Sequence, residues 1–476
     1  MRAAFVLAIL LVPPVPANGA ARPAYGGEIR VLVSSAPRVV DPALAINSSD
    51  LMLVRALHSL PLEIDGEGHL SPGLLEEVPV PEAAGRAFRL LLRSGLRFAD
   101  GTPLGAADVA ASLGRLLSSG SAHAWVALPI LGADAFLDGR ALVLPGVEVL
   151  SDRELLVTLA FPMPEWPFAL AAPTAAVVSR GGEGAGPFRL KTLDGSGARL
   201  EVNPFHWRGR AFADRLLLKG ADARAAARAL SRGEADLVQR PEAFAGARSC
   251  PPTPPLLVTV AVLNPRRLGS ETDHVRNVIQ SIDRAELARR FARGPSAPME
   301  TLVPPALLPA PGPNPRPVPA GDGARPVRLA LLALADAPDQ RAVAGRLQVK
   351  LFDAGLRASA EVEGPSRFAA RFGAEDYDVA LVAVPVLSLA PSLAAGQVAL
   401  ATRGPMVARR VLAEMAGLSQ DAAFARAEEL TRALDLVPLF ATGERNSAGP
   451  GLEGLRVFAD GGFDPGELWR LEGENR

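Results

Sequence analysis

The stretch "SGLRFADGTPLGAADVAASLGRLL" (residues 94–117) joins a turn to a helix. Residues 97–104 read as a strand end and a tight turn, with Asp100-Gly101 at the bend and Thr102-Pro103 stiffening its exit. Residues 106–117 read as a helix whose Val109, Leu113, Leu116 and Leu117 share one face. Asp108 sits near its start, where a carboxylate suits the positive helix end. No catalytic signature accompanies this turn chemistry, so the stretch reads as scaffold.

Upstream, "GGEIRVLVSS" (26–35) is a glycine-led strand, and residues 48–58 form a helix capped by Asn47 or Ser48. "PLEIDGEGHLSPGL" (61–74) is a strand, a glycine-rich turn and a second strand entry. The N-terminus has another character. Met1-Arg2 is a short positive start, residues 3–12 are ten apolar residues, and Pro13, Pro14 and Pro16 end the run ahead of small residues. Ten residues cannot span a bilayer. The pattern is that of a secretory signal peptide over residues 1–20, cleaved near Ala20 or Ala21. The sole cysteine, Cys250, is far from that site. It therefore cannot carry a lipid anchor there or close an internal disulfide. A periplasmic protein that is not a lipoprotein is expected.

Downstream, residues 85–98 form a strand. "VEVLSDRELLVTLAF" (147–161) is a hairpin turned at Ser151-Asp152, residues 186–204 are a second hairpin turned at Asp194-Gly195, and 221–232 is an alanine-rich helix. "PPLLVTVAVLNP" (254–265) is an apolar strand. Residues 275–291 are helical with a break near Ser281-Ile282, after which Asp283 and Glu286 form a capping pair. Residues 304–326 hold nine prolines and read as an irregular loop. "VRLALLAL", a helix over 339–354 ended by Gly355, and "RASAEVEG" make a β-α-β unit. "YDVALVAV" (377–384), helices near 405–416 and 420–434, and the strand "LDLVPLF" (434–440) follow. This alternation argues for an α/β lobe with a largely parallel sheet, whereas the first half is richer in hairpins. There is no internal repeat.

Several function classes are disfavoured. Net charge is −1, which leaves no electrostatic footprint for nucleic acid or an anionic membrane. Of 50 basic residues only Lys191, Lys219 and Lys350 are lysines, so most arginines read as solvated surface. "GGEGAG" (181–186) precedes a strand and does not open a phosphate-binding helix. The five histidines are scattered, without metal-ligand spacing, and no Gly-x-Ser-x-Gly elbow occurs. No enzyme, cofactor or metal site is expected.

The segment order resembles the family 5 extracellular solute-binding proteins of ABC importers, the oligopeptide, dipeptide and nickel class. "GGEIRVLVSSAPRVVDPALAINSSDLMLVRAL" is similar to their opening, and "EIDGEGHLSPGLLEEV" to their first hairpin. "FRLLLRSGLRFADGTPLGAADVAASLGRLL" matches their Phe-x-Leu-Arg, Phe-x-Asp-Gly-x-Pro and Ala-x-Asp-Val positions. "GAGPFRL", "EVNPFHWRG", "ALSRGEADLV", "LNP…HVRNVIQSIDRAELARRF" and "LVPLF" follow in order. The resemblance implies an α/β, two-lobed periplasmic binding protein fold of type II, with mixed sheets and an extra subdomain. Lobe I would comprise residues 21–60 and 146–253, the subdomain 61–145, lobe II 254–435, and 436–476 would return to lobe I. The crossovers would be residues 256–264 and 434–440. It further implies a monomer that captures a small-molecule or peptide ligand and passes it to ABC permease subunits in the inner membrane.

Ser34, Ser35, Arg38 and Asp41 are candidate ligand-binding residues, because they leave the first strand at its C-terminal end, where α/β sheets bind ligands. A departure marks the other lobe. Peptide-binding members carry a Trp and an Asp-Pro after the strand equivalent to 377–384. Here "VAVPVLSLAPSLAAG" (382–396) has neither Trp nor acid. An ammonium buried there would lack its counter-charge. The expectation is a more apolar lobe II wall including Leu387 and Ser388, and an uncharged or anionic ligand. The alternative is a periplasmic chaperone or scaffold that kept the fold and lost the cleft.

Overall fold

The computed structural model describes residues 23, 25–118, 120–240, 247–250, 252–309 and 328–471. The expected signal peptide and most of the proline-rich loop lie outside them. Two large sheets organise the chain. Glu28–Val33 is the central strand of a seven-stranded sheet and runs parallel to both neighbours, Arg215–Gly220 and Leu237–Arg240. The hairpin Phe188–Asp194 and Gly197–Val202 extends one side, and Arg445–Ala448 with Arg248–Ser249 extends the other, all antiparallel. Side chains alternate faces along a strand. Ile29, Val31 and Val33 therefore point together into a core shared with Met52, Leu53 and Ala56 of the helix Ser48–Leu57. Of the two expected caps for this helix, Asn47 acts: its side chain accepts from the Asp50 N–H.

The second sheet has six strands. Leu257–Leu263 is antiparallel to both Val379–Pro385 and Leu436–Thr442, and Ser296–Pro298 adds an antiparallel edge. Only Arg328–Leu334 makes parallel pairs, with Arg357–Glu363 and Val379–Pro385. This corrects the largely parallel expectation. A parallel pair needs a crossover, and only residues 328–385 supply crossovers, through the helices Pro338–Asp353 and Pro365–Gly373.

The strands read as crossovers between the halves, 256–264 and 434–440, are instead interior strands of this second sheet. The chain passes between the sheets in two short links, one containing residues 252–256 and the other residues 443–444. The links are bonded to each other. The Thr253 N–H donates to Glu444 O (2.9 Å), the Thr253 hydroxyl bonds the same carbonyl (3.1 Å), and the Glu444 N–H donates to Thr253 Oγ1 (2.6 Å). Gly443 makes this approach possible: a Cβ there would lie 2.5 Å from Thr253 O and 2.9 Å from Pro254 O.

A third, four-stranded antiparallel sheet combines Pro81–Glu82, Ala87–Leu91, Glu154–Thr158 and Val147–Val149. It reaches past residue 145, because the hairpin after that point pairs with Ala87–Leu91. The stretch at 94–117 belongs to this body. The Asp100 carboxylate accepts from the Thr102 N–H (2.9 Å) and hydroxyl (2.6 Å), closing the turn. Asp108 accepts from the Gly105 N–H (2.9 Å) at the start of the helix Ala106–Arg115. This body also meets the second half of the chain. One apolar core runs from Phe88 and Trp166 to Leu393, Val411 and Leu412. Glu165 Oε1 accepts from Ser392 Oγ (2.6 Å) and the Gly417 N–H (3.1 Å). Arginine serves most of the ion pairs, among them Arg30–Asp236 (3.0 Å) and Arg371 with Glu361 (2.5 Å) and Glu363 (3.3 Å).

Two glycines test the close approach of the links. Gly443→Ala is expected to lower stability by about 1–3 kcal/mol through overpacking against backbone. Gly345→Ala, in a helix interior with nothing within 4 Å of its Cβ position, is expected to raise it by up to about 1 kcal/mol. Thermal melts followed by circular dichroism read both signs.

Candidate functional site

A cleft of about 750 Å³ lies between the two large sheets and is lined from both. One wall carries Ser35, Arg38, Asn47, Ser48, Met52 and Gln239; the other carries Leu334, Asp336, Gln340, Phe368, Val382 and Leu387. The paired links contribute Thr253, Gly443 and Glu444.

The first wall is a loop, residues 34–47, between the central strand and the helix Ser48–Leu57. A loop needs partners for its backbone groups, and here buried side chains supply them. The Asp50 carboxylate accepts from the N–H groups of Arg38 (2.7 Å) and Val39 (3.0 Å) and from Asn47 Nδ2 (2.5 Å). The Nε2–H of His58 donates to Val40 O (2.9 Å), and that of His123 donates to Ala45 O (2.6 Å). Asp41 accepts from the Ala43 N–H (3.0 Å) and pairs with Arg115. Both histidines are held neutral, their pKa values lowered to about 4 chiefly by burial, which outweighs the bonds to the carbonyls. In each, Nδ1 is buried without a hydrogen-bond partner, so a second proton there would find no acceptor.

The residues expected at the site divide. Ser35, Arg38 and Leu387 line the cleft. Ser35 Oγ bonds Ser49 Oγ (3.4 Å). Ser34 is exposed but outside the lining, and Asp41 is turned away to Arg115. Ser388 is fully buried, its hydroxyl accepting from the Ala390 N–H (3.3 Å). Ser388 lies away from the cleft because residues Pro391–Arg403 form a helix that sequence reading did not find, and the chain turns inward to enter it. Leu387 is fixed by its N–H, which donates to Gln397 Oε1 of that helix (2.9 Å).

The second wall is apolar along Val382, Pro385, Val386 and Leu387, yet it does not lack acids. Asp336 and Asp339 reach it from the segment after Arg328–Leu334, a segment that sequence reading did not assign to the cleft. Most cleft charges are answered. Arg55 pairs with Asp460, Asp339 lies 3.4 Å from Arg293, and Glu444 accepts from Ser48 Oγ (2.9 Å). Arg38 and Asp336 are exposed and make no ion pair among the described residues. Gln239, Thr253 and Glu444 were also missed. The one available signal was a glutamine closing the apolar run "DLVQ" (236–239).

Among the described residues no group of three or more His, Cys, Asp or Glu is placed to hold a metal ion, and no helix is long and apolar enough to cross a membrane.

Comparison with known proteins adds the following. The family description "Bacterial extracellular solute-binding proteins, family 5 Middle" matches residues 69–385. A curated relative, the probable deoxycholate-binding periplasmic protein YgiS of Escherichia coli (strain K12), is 31% identical over 170 residues, which is 35% of this chain and 31% of that protein's length. The Escherichia coli murein tripeptide binding protein MppA superposes with a TM-score of 0.78 at 18% identity, covering 94% of this chain and 98% of that one. Haemophilus influenzae OppA in complex with the peptide RPPGFSPFR gives 0.76 at 16% identity, covering 94% and 99%.

Acid should act on the loop at 34–47 through its two histidines. An unfolded histidine binds its proton near pH 6.5, and these two do so near 4 when folded. Between those values the unfolded chain holds more protons, so stability falls as pH drops through the window, by about 3 kcal/mol per histidine at its foot. Urea unfolding at pH 7.5, 5.5 and 4.5 should give a shallower pH slope for His123→Gln than for the parent chain.

Proposed function

The chain belongs to the bacterial extracellular solute-binding proteins of family 5, and on that premise we propose that it is the periplasmic receptor of an ABC importer. It takes a small solute into the cleft and hands it to permease subunits in the inner membrane. The observation that carries this reading is a cleft lined from both sheets and joined at its base by the bonded links at Thr253 and Glu444. Two bodies connected in this way close on a ligand by hinge bending. Binding in such a cleft comes from apolar burial, with a few polar groups fixing orientation.

The lining favours an amphipathic solute with an apolar body and one carboxylate. Met52, Phe368, Val382 and Leu387 supply the apolar surface. The guanidinium of Arg38, without an ion-pair partner among the described residues, is available to a carboxylate. The deoxycholate named for the relative has this chemistry, which supports the choice. The peptides bound by structural neighbours are the competing class.

Calorimetric titration with deoxycholate and with the dipeptide Met-Leu separates them. Deoxycholate should bind, and Arg38→Ala should weaken it about tenfold, as expected for loss of a hydrogen bond to a charged group. Binding of Met-Leu but not deoxycholate would overturn the ligand assignment.

A further inference from the structure

Gln239 stands out among the residues that line the cleft. It is only 8% exposed, and its Oε1 is buried without a hydrogen-bond partner. It is the third residue of the strand Leu237–Arg240, beside Val33 of the central strand and directly opposite Asn446 of Arg445–Ala448. Strand alternation puts Gln239 on the face of Leu237, and Asn446 on that of Ala448, within the core that includes the helix Ser48–Leu57. Asn446 is 1% exposed, and both polar atoms of its side chain are likewise unpartnered. An unpaired buried amide costs stability of order 1–3 kcal/mol, and two occur side by side at the end of the central parallel strands.

We propose that Gln239 is the polar anchor of the cleft, binding a neutral hydroxyl or amide of the solute apart from its charged group. Oε1 can only accept, so the solute must bring an N–H or O–H, which a carboxylate at neutral pH does not have. A hydroxyl or amide both donates and accepts, and it satisfies the carboxamide whichever way its two ends are turned. The helix start beside this end does not call for an anion. Asp50 already accepts from Asn47, Arg38 and Val39, and Glu444 already accepts from Ser48. The solute is thereby oriented, with its carboxylate toward Arg38 and its neutral donor toward Gln239.

This rests on the ligand reading given above, and the test keeps the two apart. The parent chain, Gln239→Leu and Gln239→Met are titrated with deoxycholate and with 5β-cholanate, the same carboxylate without ring hydroxyls. The parent chain should prefer deoxycholate about tenfold, and both variants should lose that preference while binding cholanate as well as the parent does. Without ligand, their melting points should equal or exceed the parent's. A preference retained in both variants, or ligand-free melting points lowered by several degrees, overturns the anchor. If the parent chain binds neither compound, the ligand reading fails, and the ligand-free melting points alone decide. A rise upholds an amide kept for binding, and a fall shows a structural one.

Discussion

Everything about the cleft depends on how the two links meet. Thr253 and Glu444 exchange backbone and hydroxyl hydrogen bonds, so the two chain segments that join the sheets bend as a pair. Separate links would allow the sheets to twist and slide independently. Links bonded side by side restrict them mainly to one rotation, the hinge motion that opens or shuts a cleft. Gly443 pays for this in conformational freedom, since any side chain would push the pair apart. The same links carry Glu444 into the lining, where it meets Ser48 from the first wall. The links and the cleft lining are therefore continuous.

The first wall shows how a loop is made rigid without secondary structure. Asp50, His58 and His123 each take up backbone groups of residues 38–45, and Arg115 holds Asp41. Arg115 ends the helix that the turn at Asp100–Pro103 introduces. The stretch at 94–117 is thus scaffold with a specific load: it places the guanidinium that pins the loop carrying Arg38. Glu165, from the same body, bridges to Ser392 and Gly417 of the second half. The small subdomain touches both sides of the molecule.

Features written in neighbouring residues were legible before the structure. The helix start at Asn47 or Ser48, the capping pair Asp283 and Glu286, the turns at Ser151-Asp152 and Asp194-Gly195, and the β-α-β unit beginning near residue 328 all depend on side chains a few positions apart. The helix Pro391–Arg403 was not legible because it is buried almost all round. Ser392, Gln397 and Thr402 are as hidden as Leu393 and Val398, so no polar face marks the period. Its one signal was Pro391 at the first turn. The site was less legible than the fold. Asp41 meets Arg115 across 74 residues, and Gln239 faces Asn446 across most of the second half of the chain. Local pattern does not encode such meetings. The missing acid of residues 382–396 was read correctly, yet Asp336 enters the cleft from another segment.

The near absence of lysine has a consequence in alkaline solution. The ion pairs that tie the elements together rest on guanidinium groups, such as Arg30 and Arg371. An ammonium begins to surrender its charge near pH 10, but a guanidinium keeps it beyond 12. The electrostatic framework therefore has no upper titration edge within the range a cell envelope meets. Base leaves these pairs intact.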